Sequence, residues 1–240
     1  MSSIGAMMKR ELRSIFNSPI AYAIVIFAIV FTAAWLFFVQ QFFAQNEATL
    51  RNYFGIFPTV FVILIPSLTM RSWAEEKKLG TDELLMTLPV PDSTLVLGKF
   101  LSGLVLLVLI LLLTVPVPLT VLPFGFFDYG QIIGEYLGVL FLGAACLAVG
   151  YFISSLSTNQ TTAFLVTVII LMVFTFIGEI PKFVNLADWI AAVLNYLSFD
   201  YHFQSFRKGI FDTRDASYFI LLSFIFIYAN MKVITFLRIK

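Results

Sequence analysis

Apolar residues in this chain come in long blocks, not in the short alternations of a soluble fold. Six blocks, at about 20–43, 53–70, 100–124, 132–154, 161–178 and 217–237, are each near the roughly 20 residues needed to cross a bilayer. No charge occurs between Glu135 and Glu179, and two spans must fit there, because one helix of that length would overshoot the bilayer. The pattern predicts an all-α membrane protein with six transmembrane helices, forming one domain over 1–240. Ahead of the first block, Ile4, Met8, Leu12, Ile15 and Phe16 share one helical face, with Lys9, Arg10 and Arg13 mostly opposite. This predicts an interfacial amphipathic helix within 1–17, cations toward headgroups; Glu11, near the apolar edge, fits the pattern poorly. Asn17-Ser18-Pro19 restarts the chain, since proline is favoured at a first helical position. Pro66 is expected to kink the second span, and Pro116, Pro118 and Pro123 to break the end of the third.

The densest polar interruption is 71–97. Arg71 to Leu79 can continue the second span into water, and Gly80 suits a helix end that wants positive φ. Thr81 suits an N-cap, with Asp82 and Glu83 favourable in the first turn. Leu84, Leu85 and Leu88 then form an apolar ridge, stopped by Pro89 and Pro91. Such a ridge needs either a partner's groove or the lipid interface. A second turn, Ser155-Leu-Ser-Thr-Asn-Gln160, joins the fourth and fifth spans. The segment 181–216 carries Leu186, Trp189, Ile190, Val193, Leu194 and Leu197 at helical spacing, with Tyr196 and Tyr201. It predicts a re-entrant or interfacial helix capping the other mouth of the bundle, being too small to bury a core of its own.

Lysine and arginine set the orientation. With the N-terminus inside, the inner side holds Lys9, Arg10, Arg13, Arg71, Lys77, Lys78, Lys99, Lys232, Arg238 and Lys240, and the outer side Arg51, Lys182, Arg207, Lys208 and Arg214. Both termini and the 71–97 region are therefore expected in the cytoplasm, on a multi-pass chain of the inner or plasma membrane. Composition agrees: 60% hydrophobic residues, 12% charged and a mean hydropathy of +0.96 make lipid the solvent for most of the chain. The run after Arg13 is too long for a cleavable signal and reads as a retained first span. A net charge of +1 offers nothing to nucleic acid, and the single cysteine, Cys146, is expected as packing.

Candidate chemistry is sparse. Gly98-Lys99 lacks the first glycine of a phosphate-binding loop, Ser93 standing in its place, so ATP and Mg are expected on another subunit. The lone His202 excludes multi-histidine metal sites and is expected to be structural. Glu135 and Glu179 read as solvated charges at span ends. No Asp, Glu, Lys or Arg is expected at mid-membrane, which weighs against an ion-coupled carrier; the single histidine weighs against an intramembrane protease. Gly134-x-x-x-Gly138 offers a close-packing surface. A force-transmitting scaffold that translocates nothing remains compatible with these features.

Glu75-Glu-Lys-Lys-Leu-Gly-Thr-Asp-Glu-Leu-Leu-Met-Thr-Leu-Pro89 resembles the E-E-K-x-x-G-T-x-E-L-L signature of ABC-2 type permeases, the membrane subunits of ATP-driven exporters. The resemblance implies a dimer of permease chains, alike or homologous, carrying two cytoplasmic ATPase subunits. It implies that Glu75, Glu76, Lys77, Gly80, Thr81, Glu83, Leu84, Leu85, Leu88 and Pro89 form a coupling helix docked on the ATPase. The turn with Ser155, Ser157, Asn159 and Gln160 is expected to receive the same push. The stretch with Tyr201, His202, Phe203, Gly209, Asp212, Arg214 and Asp215 is similar to a Y-H-F-x-x-F-x-x-G-x-x-D-x-R-D pattern. That pattern resembles the branch holding gliding-motility-associated permeases and the permease of nitrous-oxide-reductase maturation. It would add a possible accessory subunit with a large outer domain.

Overall fold

The structure, a computed structural model, describes residues 3–45, 49–87, 90–184 and 186–239. Among them there is no strand, and six helical stretches are long and apolar enough to span a membrane: Pro19–Ala44, Arg51–Leu79, Asp92–Phe124, Tyr129–Leu156, Gln160–Phe183 and Thr213–Arg238. The chain is thus an all-α, multi-pass membrane protein. Its main helices are α1 (Ser3–Phe16), α2 (Pro19–Ala34), α3 (Phe57–Thr69), α4 (Ala74–Leu79), α5 (Thr81–Thr87) and α6 (Asp92–Thr114). There follow α7 (Tyr129–Leu156), α8 (Gln160–Phe176), α9 (Asp188–Leu197), α10 (Phe199–Arg207) and α11 (Thr213–Ile239). Proline placement explains several ends. Pro19 starts α2, and α6 stops at Thr114, giving way to short pieces at Pro116–Leu119 and Leu122–Phe124. Pro66 stays inside α3, and the helix runs on through it to Thr69.

The central helix is α7, which packs against α3, α6, α8, α10 and α11. Its small residues permit this. A side chain at Gly138 would collide with Phe206, at Gly143 with Leu107 and Phe61, and at Gly150 with Thr69. Gly134 lies against the backbone of Gly209. The Gly134/Gly138 surface therefore receives the α10 corner of the same chain, not another span. By contrast α2, α8 and α11 form the rim, with Ile26, Val30, Ile169, Met172, Leu221 and Phe224 exposed, as lipid-facing surface requires. Buried hydroxyls in the spans bond back onto their own helices: Thr32 to Ala28 O, Thr167 to Ala163 O and Thr175 to Leu171 O.

Both termini lie at one end of the bundle. Arg238, near the end of α11, pairs with Asp92 at 2.6 Å, and Thr235 Oγ1 donates to Asp92 Oδ2 at 2.9 Å. At the same end α1 packs along the start of α6, with Met7 seated on Gly98. The face of α1 turned to the protein carries Met7 and Glu11, while Phe16, expected on the apolar face, is 37% exposed. This charged end also holds α4 and α5. The opposite end is capped by α9 and α10. The expected 181–216 helix is present as α9, but it buries none of its residues; the packing falls to α10, through Phe199, His202, Phe203 and Phe206.

Candidate functional site

At the charged end, α3 and α4 are separated by a tight turn over residues 70–73 and are held by reciprocal capping. Ser154, near the end of α7, accepts from the backbone N–H of Trp73 at 3.1 Å and of Ala74 at 3.3 Å. Its hydroxyl donates to Met70 O at 3.4 Å. These are donors that a helix start leaves without intrahelical partners. In return Lys77 Nζ donates to Ser155 O, placing a cation on the terminal carbonyls of α7, where the helix dipole favours it. Two helix ends from distant parts of the chain thus satisfy one another. Ser154 was not singled out from the sequence: a serine in an apolar span gives no sign that it meets a helix start 80 residues away.

Beside this joint Lys99 is buried, at 1% exposure. All three ammonium protons find acceptors: Glu76 Oε1 at 3.0 Å, Glu11 Oε1 at 3.2 Å and Ser72 O at 2.9 Å. The ammonium also sits over the Trp73 ring, 4.7 Å from its centre. Arg10 adds a second cation to Glu76 at 3.4 Å. Buried charges persist only when paired and hydrogen-bonded, and here two carboxylates meet two cations. The arrangement ties α1, α4 and α6 together. It also accounts for Glu11, the residue out of place on an interfacial helix: it faces Lys99.

A separate small core lies against these charges, formed by Met7, Trp73, Leu85, Leu95, Val96 and Ile234. Leu85 is 4% exposed, so it pins α5 to its own chain and is no part of an outward ridge. The amphipathic pattern of α5 was legible, but which side faces the body depends on where α1 and α11 end. Leu84 and Glu83 sit in α5, with side chains outside the description, and Leu88 and Pro89 lie outside the described residues. What points outward is the α4–α5 corner: Lys78, Leu79 at 67% exposure and Gly80. Gly80 adopts φ +67° with open space around it, the left-handed helix end the sequence predicts. Thr81 departs from expectation. It is the first residue of α5, and its hydroxyl donates backward to Glu76 O at 3.2 Å, satisfying a carbonyl of α4. Glu75 ion-pairs with Arg71 at 3.9 Å, one helical turn away. Because only backbone conformation constrains position 80, Gly80→Asn is expected to melt within a degree or two of the parent. Gly80→Val should cost about 1–2 kcal/mol in thermal unfolding.

The second turn lies against α4, which touches the ends of both α7 and α8. Ser155 is buried and Ser157 Oγ donates to Ile153 O at 3.0 Å. Asn159 caps α8 by accepting from Thr161 N at 3.2 Å, and Gln160 opens that helix. Leu156 is 55% exposed beside them.

At the far end the expected motif residues gather at the α10–α11 corner. His202 is buried, with Nδ1 2.7 Å from Asp215 Oδ1, Nε2 2.8 Å from Tyr196 O, and its ring stacked on Tyr218. A carbonyl can only accept, so Nε2 donates to Tyr196 O, while Nδ1 faces the Asp215 carboxylate. These contacts lock the corner. Phe203 is buried beneath it and Tyr201 is half exposed. Gly209, at φ +72°, makes the turn. Asp212 Oδ1 accepts from Arg214 N at 2.8 Å, ordering the start of α11, while the Arg214 side chain is exposed.

Glu135 contradicts its reading as a solvated boundary charge. It is 0% exposed, roofed by α10. Oε1 accepts from Gln131 at 3.0 Å, and Oε2 has no partner among the described residues. Glu179 does fit that reading, paired with Lys182 at 2.6 Å at the surface. Cys146 is buried in the main core. The residues missed from sequence are therefore Glu11, Lys99 and Ser154, each given its part by a neighbour that is remote in sequence, and Lys78 and Leu79, left exposed once Leu85 turns inward.

A family model described as "ABC-2 family transporter protein" matches residues 6–232, nearly the whole chain. No curated protein matches the sequence.

Proposed function

The chain belongs to the ABC-2 family of transporter proteins, and we propose that its charged end is where partner ATPase subunits drive the membrane bundle. It is a membrane permease subunit of the exporter type, with transport ATPase activity on partner chains. In this reading the charged end faces the cytoplasm of a cell's inner or plasma membrane, following the ten lysines and arginines assigned to that side against five. Two ATPases, carrying ATP and Mg, sit beneath a pair of permease chains, alike or homologous.

The observation that carries the reading is the bonding of α4. It is joined to α7 through Ser154 and Lys77, to α6 through Lys99, and to α1 through Arg10 directly and through Glu11 by way of Lys99. A push on the exposed corner Lys78–Leu79–Gly80 cannot be absorbed locally. It moves the start of α6 and the whole of α7, whose other end supports the α10 corner. Closure of the ATPases would then change access along the interface between permease chains by rigid-body motion. The exposed Leu156 and Asn159 beside α4 give the same push a second foothold. Membership of the gliding-motility-associated or nitrous-oxide-maturation branch rests on the far-end motif alone. With an accessory outer subunit, that branch would make force transmission, not export, the output.

A second reading, an ion-coupled carrier, draws support from the buried Glu135, since carboxylates kept away from water are commonly functional. One experiment separates the two. The tagged chain, extracted from native membranes in mild detergent, is expected to bring down an ATPase with a phosphate-binding loop in near-equal amount. A chain that purifies alone under every mild condition, with transport that collapses on adding an ionophore at constant ATP, would overturn the coupling reading.

A further inference from the structure

A cavity of about 360 Å³ opens between α1, the first turns of α2, the end of α3 and α4. Its polar wall holds Ser18, Arg71, Ser72, Glu75 and Glu76, and its apolar wall Ile20, Ala21 and Ile24 of α2. Because α2 begins at Pro19 and then spans the membrane, the cavity sits at headgroup depth. Further along α2 one face is turned outward, with Ile26 and Val30 each 60% exposed, a track that an acyl chain can follow.

Three polar atoms of its lining residues are buried without a hydrogen-bond partner: Arg71 Nε, Ser72 Oγ and Glu76 Oε2. The first can only donate and the last, when ionised, can only accept. Arg71 Nη1 donates to Ser18 Oγ at 3.1 Å, and its Nε lies 3.9 Å from Glu75, beyond hydrogen-bond reach. The fixed charges balance. Arg10, Arg71 and the adjoining Lys99 meet Glu11, Glu75 and Glu76. A net anion therefore gains nothing from the site as a whole, whereas a ligand carrying both an acceptor anion and an N–H donor meets both unpaired groups. A phosphate answers Arg71. Glu76 Oε2 needs a proton donor, which a primary ammonium has and a quaternary ammonium lacks.

We propose that this cavity is a binding site for one phospholipid of the phosphoethanolamine class, its phosphate on Arg71 and its ammonium on Glu76, with an acyl chain along α2. The site lies within one chain and does not rest on the ATPase-coupling reading. The bound lipid braces α1 and α4 against α2, so the charged end is set by the leaflet around it.

The full chain, with any subunits that purify with it, is delipidated in detergent and titrated by native mass spectrometry. The probes are phosphatidylethanolamine, phosphatidylcholine and phosphatidylglycerol with identical acyl chains. The ethanolamine lipid is expected to be retained about tenfold more tightly than the choline lipid, the difference of one charge-assisted hydrogen bond. Arg71→Met should weaken retention of the ethanolamine and choline lipids alike, since both carry the phosphate, and Lys208→Met at the far end should leave both unchanged. Equal retention of all three lipids would reduce the site to ordinary annular contact and overturn the proposal. Tightest retention of the glycerol lipid would make it an anion site and overturn it equally. Ethanolamine-lipid retention that is undiminished in Arg71→Met would place the lipid elsewhere and overturn the proposal. The comparison of lipids on the unmodified chain stands even if the Arg71 variant fails to fold.

Discussion

Replacing Lys99 by methionine is expected to destabilise the folded chain by about 3–5 kcal/mol, the cost of stripping one partner from a buried ion group. Methionine has nearly the length of lysine and fills the same space above Trp73, so packing is largely kept. What is lost is the charge. Glu11 Oε1 and Glu76 Oε1 both lie within 3.2 Å of the ammonium, and without it two carboxylates face each other in a site that is 1% exposed on the lysine side. Arg10 stays on Glu76 but does not reach Glu11 in this structure. The measurement is thermal unfolding in detergent, together with folded yield. Adding Glu11→Gln to Lys99→Met should recover a large share of the loss, since it removes the repulsion; groups in one ion network do not contribute additively. A Lys99→Met chain that melts with the parent would show that the charges are solvated and that α1, α4 and α6 are not joined through them.

The second large effect separates two leucines six residues apart. Leu79→Asp sits on the exposed corner, so the chain should fold and enter the membrane normally. Its co-purification with the ATPase should fall roughly ten- to a hundredfold, the usual penalty for losing an apolar contact at the centre of an interface. Leu85→Asp puts a carboxylate among Met7, Trp73, Leu95, Val96 and Ile234, an uncompensated burial costing several kcal/mol. That variant should be lost from the folded fraction before its ATPase binding can be measured. Fluorescence-detected size exclusion and pull-down, run together, read both outcomes. A stable Leu85→Asp chain that binds poorly, beside a Leu79→Asp chain that binds well, would reverse the assignment and restore the outward ridge.

The sequence by itself determined the class of the protein, and it did so through properties that add up locally. Hydropathy summed over twenty residues located the spans. Prolines marked the broken end of α6, and a glycine between Leu79 and Thr81 marked the left-handed corner at Gly80. These features depend on near neighbours in the chain, so no partner helix needs to be known. Only the tertiary structure decided which charges and hydroxyls meet. Glu11 read as a minor irregularity in its own segment and Lys99 and Ser154 gave no sign of a role, yet together with Glu76 and Lys77 they join four helices. The same holds for Leu85, whose direction is set by the ends of α1 and α11, and for Glu135, buried because α10 folds over it. His202 and Asp215 were visible as parts of one motif, but the orientation of the imidazole between them follows from a carbonyl contributed by Tyr196. An apolar span is specified by its own composition. The partner of a polar atom is specified by whichever segment comes to lie beside it, and that is settled only when the helices pack.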